Sequence, residues 1–412
     1  MSYVSWEEFW WNNITGAHSL VSAVAVALLE SKNVILNVPS DIPWRHSMRS
    51  AISTFFQEKN DRRDIIIQPI DVVDDNPESQ EPGRFILSRF ASSVISKGYR
   101  EKSKVAIQDY ISQKGVIRNQ IIWVKGLSGK TAEQWVKFCK AFSSSSIADG
   151  LFVLEIQGGF HTADTKHLKA VEFSECVRCY DVQLFNCFIL EDQHIYTENW
   201  KKYISATAAL VCGIDAEVSE LLLRVTDFKR ESPVVGIQRI AEMPDFERRG
   251  ASEASDHVLW NIRNKRSTVI DHNIWAAQVQ VLFPLIEMER ISIIQKWRAQ
   301  IAEALNTSEI QQYGEVIKNP MDVELGTLCY MMSHRKNPDL YMLYIPIESE
   351  RNRIRFLHDC RNLLAHVSCC SPVQITELLD NTTGEREAAL ATNEENMKAD
   401  RRKECCYAAE TC

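Results

Sequence analysis

Four short apolar runs in the first half of the sequence constrain its fold more than any other feature. They span residues 34–39, 64–70, 120–124 and 150–156, and stretches with helical character separate them. A strand that is apolar along its whole length is typical of a parallel sheet whose two faces are covered by helices. The sequence therefore predicts an N-terminal α/β domain built on a parallel sheet.

Helical signals fill the stretches between these runs. The apolar residues of 20–29 recur with helical spacing, and a second helix is predicted to begin at Pro43. Residues 84–112 also favour helices. The segment from Thr131 to Gln134 is typical of a capping box, with Thr131 as the N-cap of a further helix.

From Trp200 onward the strand signals stop and the pattern becomes helical. Helices are predicted at 200–212 and 215–228, whereas residues 231–256 are polar and irregular, as in a connector. The last part of the chain contains predicted helices at 273–305 with a kink at Pro284, at 325–332, at 348–366, and after Ser371 and Pro372.

These patterns predict the fold class and its segments. The class is an α/β parallel-sheet N-terminal domain plus an all-α C-terminal domain. The segments are a domain at 1–195, a helical extension and connector at 196–256, a helical bundle at 257–380, and a flexible tail at 381–412. The tail is assigned from its polar composition, which offers little apolar surface to bury.

Charge and the first residues bear on the environment of the chain. The net charge of −8 disfavours a dedicated nucleic-acid coat, although a local basic patch can still attract RNA. The first residues lack the basic region and apolar core of a secretory signal. The apolar run 20–29 is too short to span a bilayer, which needs roughly 20 residues. We therefore expect a cytoplasmic protein that does not enter a membrane.

The 12 cysteines are scattered along the chain, which is typical of buried apolar residues in a reducing compartment. Cys176 and Cys179 form a CxxC pair, but no second pair follows at the spacing of a zinc site. We expect no metal site. The cysteines of the tail, which are Cys405, Cys406 and Cys412, are expected to be exposed thiols.

A nucleotide site is the first function that this layout suggests, and the sequence argues against it. A phosphate-binding loop needs glycines, a Lys and a Ser or Thr, but the turn at 38–44 contains prolines, Asp41 and neither Gly nor Lys. The later segment 126–131 has Gly and Lys, but Val124 stands where the pattern requires its first glycine. The strand before it ends in Lys125, where a magnesium-holding strand would end in an acid.

The order of elements over roughly 230 residues nevertheless resembles the STAND class of P-loop ATPases, with its nucleotide chemistry eroded. This is a resemblance of layout, and it transfers no functional residue to the sequence. It implies a nucleotide-incompetent, STAND-like α/β domain. We expect no ATPase activity and no cofactor.

Arg361, Asn362 and His366 stand near the end of the last long predicted helix. Their spacing resembles the R-x4-6-H motif of HEPN domains, the higher eukaryote and prokaryote nucleotide-binding family, in which a polar residue follows the Arg. The resemblance covers about 257–380. Metal-free RNA cleavage needs a group that titrates near neutrality, which is His, and a fixed cation on the phosphate, which Arg supplies.

The resemblance implies specific roles for these residues. Arg361 would stabilise the phosphate, His366 would move the proton, and Asn362 would orient either of them. Two chains would pair through the C-terminal domain so that their motifs meet, and one chain alone would be inactive. The other interpretation of the same residues is architectural, because Arg361 and Asn362 can hydrogen-bond neighbouring helices and fix the bundle.

Two functions therefore remain open at the level of sequence. One is a prokaryotic defence or toxin-type protein whose HEPN-like dimer cleaves RNA without metal under a nucleotide-incompetent domain. The other is a non-enzymatic scaffold or sensor in which both domains bind partners. The expected partners are an RNA substrate, a second copy of the chain, and a protein bound to the α/β domain.

Overall fold

The computed structural model describes residues 5–61, 64–75, 81–99, 105–142, 146–251, 256–338 and 340–380. The predicted tail 381–412 and its cysteines lie outside the described residues. The chain divides into two compact units. The sheet unit is Met1–Asn186, Cys212–Leu221 and Asp245–Trp260, and the helical unit is Cys187–Val211, Leu222–Pro244 and Asn261–Cys412.

Helices and strands alternate through the first half of the chain, as the sequence predicts. The helices are α1 (Trp6–Asn13), α2 (Thr15–Leu29), α3 (Arg45–Lys59), α4 (Val72–Asp75), α5 (Pro82–Phe90), α6 (Ser93–Gly98), α7 (Ile107–Gln113), α8 (Gly129–Ala141), α9 (Phe173–Cys176) and α10 (Cys179–Glu191). The strands are β1 (Asn33–Val38), β2 (Ile66–Asp71), β3 (Gln120–Leu127), β4 (Leu151–Gln157) and β5 (Leu168–Glu172).

These strands form one parallel sheet in the order β2-β3-β4-β1-β5, which confirms the predicted α/β class. All of β1 is buried, as its apolar sequence requires. The chain leaves β1 towards β2 at one edge of the sheet, whereas it leaves β4 towards β5 at the other edge. A crevice is expected outside the carboxyl ends of adjacent strands whose connections diverge in this way.

An aromatic cluster packs between α8 and the sheet. Phe152 of β4 meets Phe138 and Phe142 edge-to-face, with ring centroids 5.6 and 5.1 Å apart, and Trp135 joins the same cluster. These rings are almost fully buried. Aromatic burial of this kind fixes α8 on its face of the sheet.

One local prediction in this half is wrong. Helix α8 begins at Gly129 with Ser128 as its N-cap, so Thr131 lies inside the helix and does not cap it. The capping box of this region is instead formed by Ser146 and Asp149. The cause is Gly129, whose positive φ of 48° turns the chain into the helix earlier than the polar pattern suggests.

Among the described residues after Glu191, the regular structure is helical apart from two small antiparallel hairpins. The helices are α11 (Glu198–Cys212), α12 (Ala216–Val225), α13 (Pro233–Ala241), α14 (Val258–Arg263), α15 (Ser267–Lys296), α16 (Arg298–Thr307), α17 (Leu325–Ser333), α18 (Glu348–Ala365) and α19 (372–380). The hairpins pair β6 (Gln311–Gln312) with β7 (Glu315–Val316) and β8 (Arg335–Asn337) with β9 (Leu340–Tyr341).

Two expectations for this region need correction. Residues 231–256 are not irregular throughout, because Ser232 caps α13 and Pro233 occupies its first turn, where a proline fits without loss of a hydrogen bond. The predicted helix 273–305 is divided at Trp297, whereas α15 continues through Pro284. Helix α19 begins after Ser371, as predicted, and Ser371 Oγ accepts from the amide of Gln374.

In the described part of the chain, no single helix has both the length and the apolar composition to cross a membrane. Helices α1 and α2 meet that requirement only when taken together, across a bend of 69°. Both contribute buried residues to the sheet unit, including Trp10, Trp11 and Leu20.

Candidate functional site

The turn after β1 is where a P-loop protein would hold phosphate, and here it encloses a cation. The guanidinium of Arg45 donates to the carbonyl of Pro39 at 3.1 Å and to the carbonyl of Ser40 at 2.6 Å. A phosphate-binding loop presents backbone amides to its ligand. This turn presents carbonyls, so its geometry selects positive charge.

Glu155 of β4 supplies the negative charge that pairs with the Arg45 guanidinium. Its side chain is 1% exposed and receives hydrogen bonds from Arg45 (3.1 Å), Arg49 (2.7 Å) and the Trp123 indole (2.9 Å). Burial alone would raise the pKa of Glu155, but the hydrogen bonds and charges of Arg49 and Arg45 outweigh it and hold the pKa below its usual range. Burial lowers the pKa of Arg45.

A second charged cluster contacts the same turn. Arg249 bonds Asp215 at 2.6 and 2.8 Å and Glu217 at 2.6 Å, and His257 lies 2.9 Å from Asp215. Glu217 also accepts the backbone amide of Trp44 at 2.8 Å. Burial opposes ionisation of both acids, but Arg249 lowers the pKa of Asp215, whereas the pKa of Glu217 remains raised.

The arginines of these two clusters are already paired with carboxylates, so they are poorly suited to bind phosphate. Arg45, Arg49 and Arg249 each bond a carboxylate of the same unit. The segment 126–131 does not replace them, because Gly126 and Leu127 end β3 and Gly129 starts α8. Lys125 lies 3.7 Å from Asp71.

The helical unit contains the residues that the HEPN resemblance singles out, on α18 and at its end. Arg361 Nη2 lies 3.3 Å from Glu324, and each side chain is about one-third exposed. Tyr313 donates to the same carboxylate at 2.9 Å. Arg361 therefore faces the N-terminus of α17 and is partly neutralised there.

Asn362 and His366 lie elsewhere on the helix. The Asn362 amide lies 3.0 Å from the His358 ring, one turn earlier, and His366 is an exposed residue at the C-cap. Successive residues of a helix are about 100° apart, so His366 lies about 140° around the axis from Arg361 but only about 40° from Asn362. The structure brings His358 to Asn362, and it separates Arg361 from His366 within one chain.

Residues on the solvent face of α18 recur at spacings of three and four. This polar stripe is formed by Asn352, Arg355, Asp359, Asn362 and His366. The opposite face buries Ile354, Leu357, Cys360 and Leu364. Arg355 therefore shares a face of α18 with His366, about 16 Å away along the helix axis, a relationship that the spacing in the sequence indicates.

The residue after His366 adopts an unusual backbone conformation. Val367 has φ of 58° and is 57% exposed, and the next amide, of Ser368, donates to Leu363 at 2.9 Å. This bond is that of a Schellman cap, whose left-handed position is normally filled by glycine. A β-branched residue is strained there, and such strain often accompanies functional sites.

Metal ligands are not gathered in the described ranges, where no three His, Cys, Asp or Glu side chains come together as a metal site requires. Cys176 and Cys179 are half-buried, and burial raises the pKa of both thiols. Protonated thiols are poor metal ligands.

No protein-family model and no curated protein matches this sequence. One solved structure that the chain matches is described as Drosophila ORC bound to poly(dA/dT) DNA and Cdc6. The two are 12% identical, and the match covers 92% of this chain and 72% of that chain, with a TM-score of 0.22. A TM-score this low does not bear on function.

Proposed function

We propose that the helical unit is a HEPN-like module that cleaves RNA without metal when two chains pair, and that the sheet unit regulates it without using nucleotide. The observation that carries the proposal is the polar stripe of α18, on which His366 and Arg355 are exposed and Asn362 is half-buried beside His358. A regulated cytoplasmic nuclease of this kind would suit a prokaryotic defence or toxin system.

The chemistry follows from the residue types. The ribose 2′-hydroxyl attacks the adjacent phosphorus and loses its proton, and the 5′-oxygen leaves and takes up a proton. His366 would transfer one of these protons, because imidazole titrates near neutrality. Arg355 or Arg361 of a second copy would stabilise the phosphate charge, because Arg355 of the same chain lies about 16 Å along α18 from His366. The products carry a 2′,3′-cyclic phosphate and a 5′-hydroxyl.

Pairing of two chains is part of the proposal because of the geometry of α18. Arg361 and His366 point about 140° apart on one helix, so they cannot both reach one phosphate from the same chain. Two copies that meet at the C-terminal end of α18 could place His366 of one beside Arg361 of the other. Cleavage should then depend on the square of protein concentration below the dimer dissociation constant.

The test is cleavage of a labelled single-stranded RNA by the full chain in EDTA. His366→Ala and Arg355→Ala are each expected to slow cleavage by about a hundredfold, the scale of a lost proton-transfer or phosphate group. His194→Ala is the matched control, because His194 is an exposed histidine of the helical unit away from α18. Equal rates for His366→Ala and wild type would refute the nuclease proposal.

A second function is supported by the ion pair between Arg361 and Glu324. That pair links α18 to the N-cap of α17, which is what an architectural arginine would do. The corresponding proposal is a non-enzymatic scaffold. It is favoured if wild type does not cut RNA as a dimer and if Arg361→Ala lowers the melting temperature more than His366→Ala does.

A further inference from the structure

Two adjoining cavities open outside the carboxyl ends of β1, β4 and β5, within the sheet unit. Their volumes are about 580 and 460 Å³, and Glu172 at the end of β5 lines both. We call them together the Glu172 crevice. Their position is where open parallel sheets bind ligands, and their size suits a small molecule.

Asn37 at the end of β1 lines the larger cavity and is 3% exposed. Its amide nitrogen donates to the carbonyl of Phe160 at 2.7 Å and to the carboxylate of Glu172. Its Oδ1 has no hydrogen-bond partner among the described residues. A buried acceptor without a partner is costly, by about 1–3 kcal/mol, so this oxygen favours a ligand that donates a hydrogen bond.

The second cavity repeats the same chemistry. Thr162 lines it, and its buried Oγ1 also has no partner in the part of the chain that the structure describes. Glu175 adds an exposed carboxylate to the same wall. Lys169 is held by Asp164, and His161 lies 3.7 Å from Glu172. The carboxylates of this wall therefore outnumber the cations that could neutralise them.

The remaining wall of the larger cavity suits an aliphatic chain. Val38, Pro39, Phe173 and Ile214 supply apolar surface. Gly158 and Gly159 follow β4 with φ of 93° and 73°, and the space beside each α-carbon is open. A ligand can approach this backbone closely, as glycine allows.

We propose that the Glu172 crevice binds a small organic cation that carries a primary amine or guanidinium on a short aliphatic chain. The carboxylate of Glu172 is the counter-ion of the cationic group, and a small shift of the Asn37 side chain lets its buried Oδ1 accept a hydrogen bond from that group. The same carboxylate repels phosphate-bearing ligands. The proposal does not depend on RNA cleavage by the helical unit.

The experiment is calorimetric titration of the full chain with agmatine and, separately, with putrescine. Saturable binding of at least one cation is expected, with no binding of ATP plus magnesium or of inorganic phosphate. Glu172→Gln is expected to weaken cation binding at least tenfold. Glu133→Gln, which removes an exposed carboxylate of α8 in the same unit, is expected to bind as wild type does.

A second variant guards against loss of folding in Glu172→Gln. Ser128 lines the crevice and makes no side-chain cap bond, so Ser128→Trp fills the space and leaves Glu172 and Asn37 in place. It is expected to abolish cation binding at an unchanged melting temperature. The proposal is overturned if wild type binds neither cation, if ATP binds more tightly than both, or if a folded Glu172→Gln or Ser128→Trp binds as wild type does.

Discussion

Arg45 Nη2 donates a 2.6 Å hydrogen bond to the carbonyl oxygen of Ser40, inside the turn that follows strand β1. Together with the bond to Pro39, it holds a guanidinium against the backbone carbonyls of this turn. The carboxylate of Glu155 neutralises that guanidinium. The turn is thus occupied by the side chain of the protein itself.

We expect that the full chain does not bind ATP. The turn after β1 has carbonyls where a phosphate needs amide donors, and the carboxylates of Asp41 and Glu155 repel phosphate. A thermal-shift titration with ATP and magnesium up to millimolar concentration should move the melting temperature by less than about 1 °C, because stabilisation requires a ligand concentration near its Kd. A saturable shift with ATP that is absent with agmatine would contradict both this prediction and the proposed crevice ligand.

Glu155→Gln should strongly destabilise the sheet unit. Removal of one member of a buried ion pair costs about 3–5 kcal/mol, and the lower end applies because Arg45 and Arg49 keep about a quarter of their side-chain surface in water. The expected loss of about 3 kcal/mol lowers the melting temperature by roughly 6–12 °C. Glu133→Gln on the exposed face of α8 is the control and should shift it by less than about 2 °C.

The difference in melting temperature between wild type and Glu155→Gln should depend on pH, and the direction of that dependence follows from the pKa of Glu155. Because the folded pKa of Glu155 is depressed, its contribution is present above the unfolded pKa, near 4.3, and is lost as pH falls through the folded value. The gap in melting temperature between wild type and Glu155→Gln should stay constant from pH 8 to about 5 and narrow below about 4. A gap that narrows on raising pH would contradict the assignment.

The sheet could be predicted from sequence as far as its strands are apolar. The runs that became β1, β3 and β4 are buried on both faces, so their composition alone reveals them. β5 was missed because only Leu168 and Val171 of its residues are buried, and two buried residues three positions apart do not make a strand pattern. Strand order was not predicted, since it depends on long-range pairing.

The candidate sites, like the strand order, could not be predicted where they depend on three-dimensional structure. The spacing of Arg361 and His366 suggested one motif, but helical rotation separates them and places Arg355 on the face of His366. Asn37 and Glu172 are 135 residues apart, and only the pairing of β1 with β5 makes them neighbours. Without an alignment of strands, nothing in the sequence connects those two residues.

Glu324→Gln should free Arg361 and increase RNA cleavage. The pair is about one-third exposed, so its loss should change the free energy of unfolding by less than about 1 kcal/mol. If that free energy instead stabilises the phosphate in the transition state of cleavage, the rate increases about two- to fivefold. Rates are compared in EDTA at equal protein concentration.

Glu348→Gln is the matched control for that change. Glu348 is an exposed carboxylate in the first turn of the same helix, three turns and more from Arg361. An equal increase in both variants would indicate a general charge effect. A decrease in Glu324→Gln alone, together with a lower melting temperature, would favour the scaffold function, in which the pair holds α17 against α18.

Val367→Gly should stabilise the helical unit. A non-glycine residue in the left-handed conformation costs about 1–2 kcal/mol, and Val367 buries little that glycine would lose, because its side chain is 57% exposed. Glycine itself lowers the free energy of unfolding by about 0.5–1 kcal/mol, because it has more conformational freedom in the unfolded chain. The net gain of about 0.5–1 kcal/mol should raise the melting temperature by roughly 1–4 °C.

Ser368→Gly is the control, because Ser368 follows directly and does not have a positive φ. It keeps the amide that donates to Leu363 and gains no relief of strain, so it should lose about 0.5–1 kcal/mol. If both glycines lowered the melting temperature, the end of α18 would not be strained at Val367. If Val367→Gly stabilised the protein and RNA cleavage fell, the strained turn would be needed to position His366, because stability and activity would then change in opposite directions.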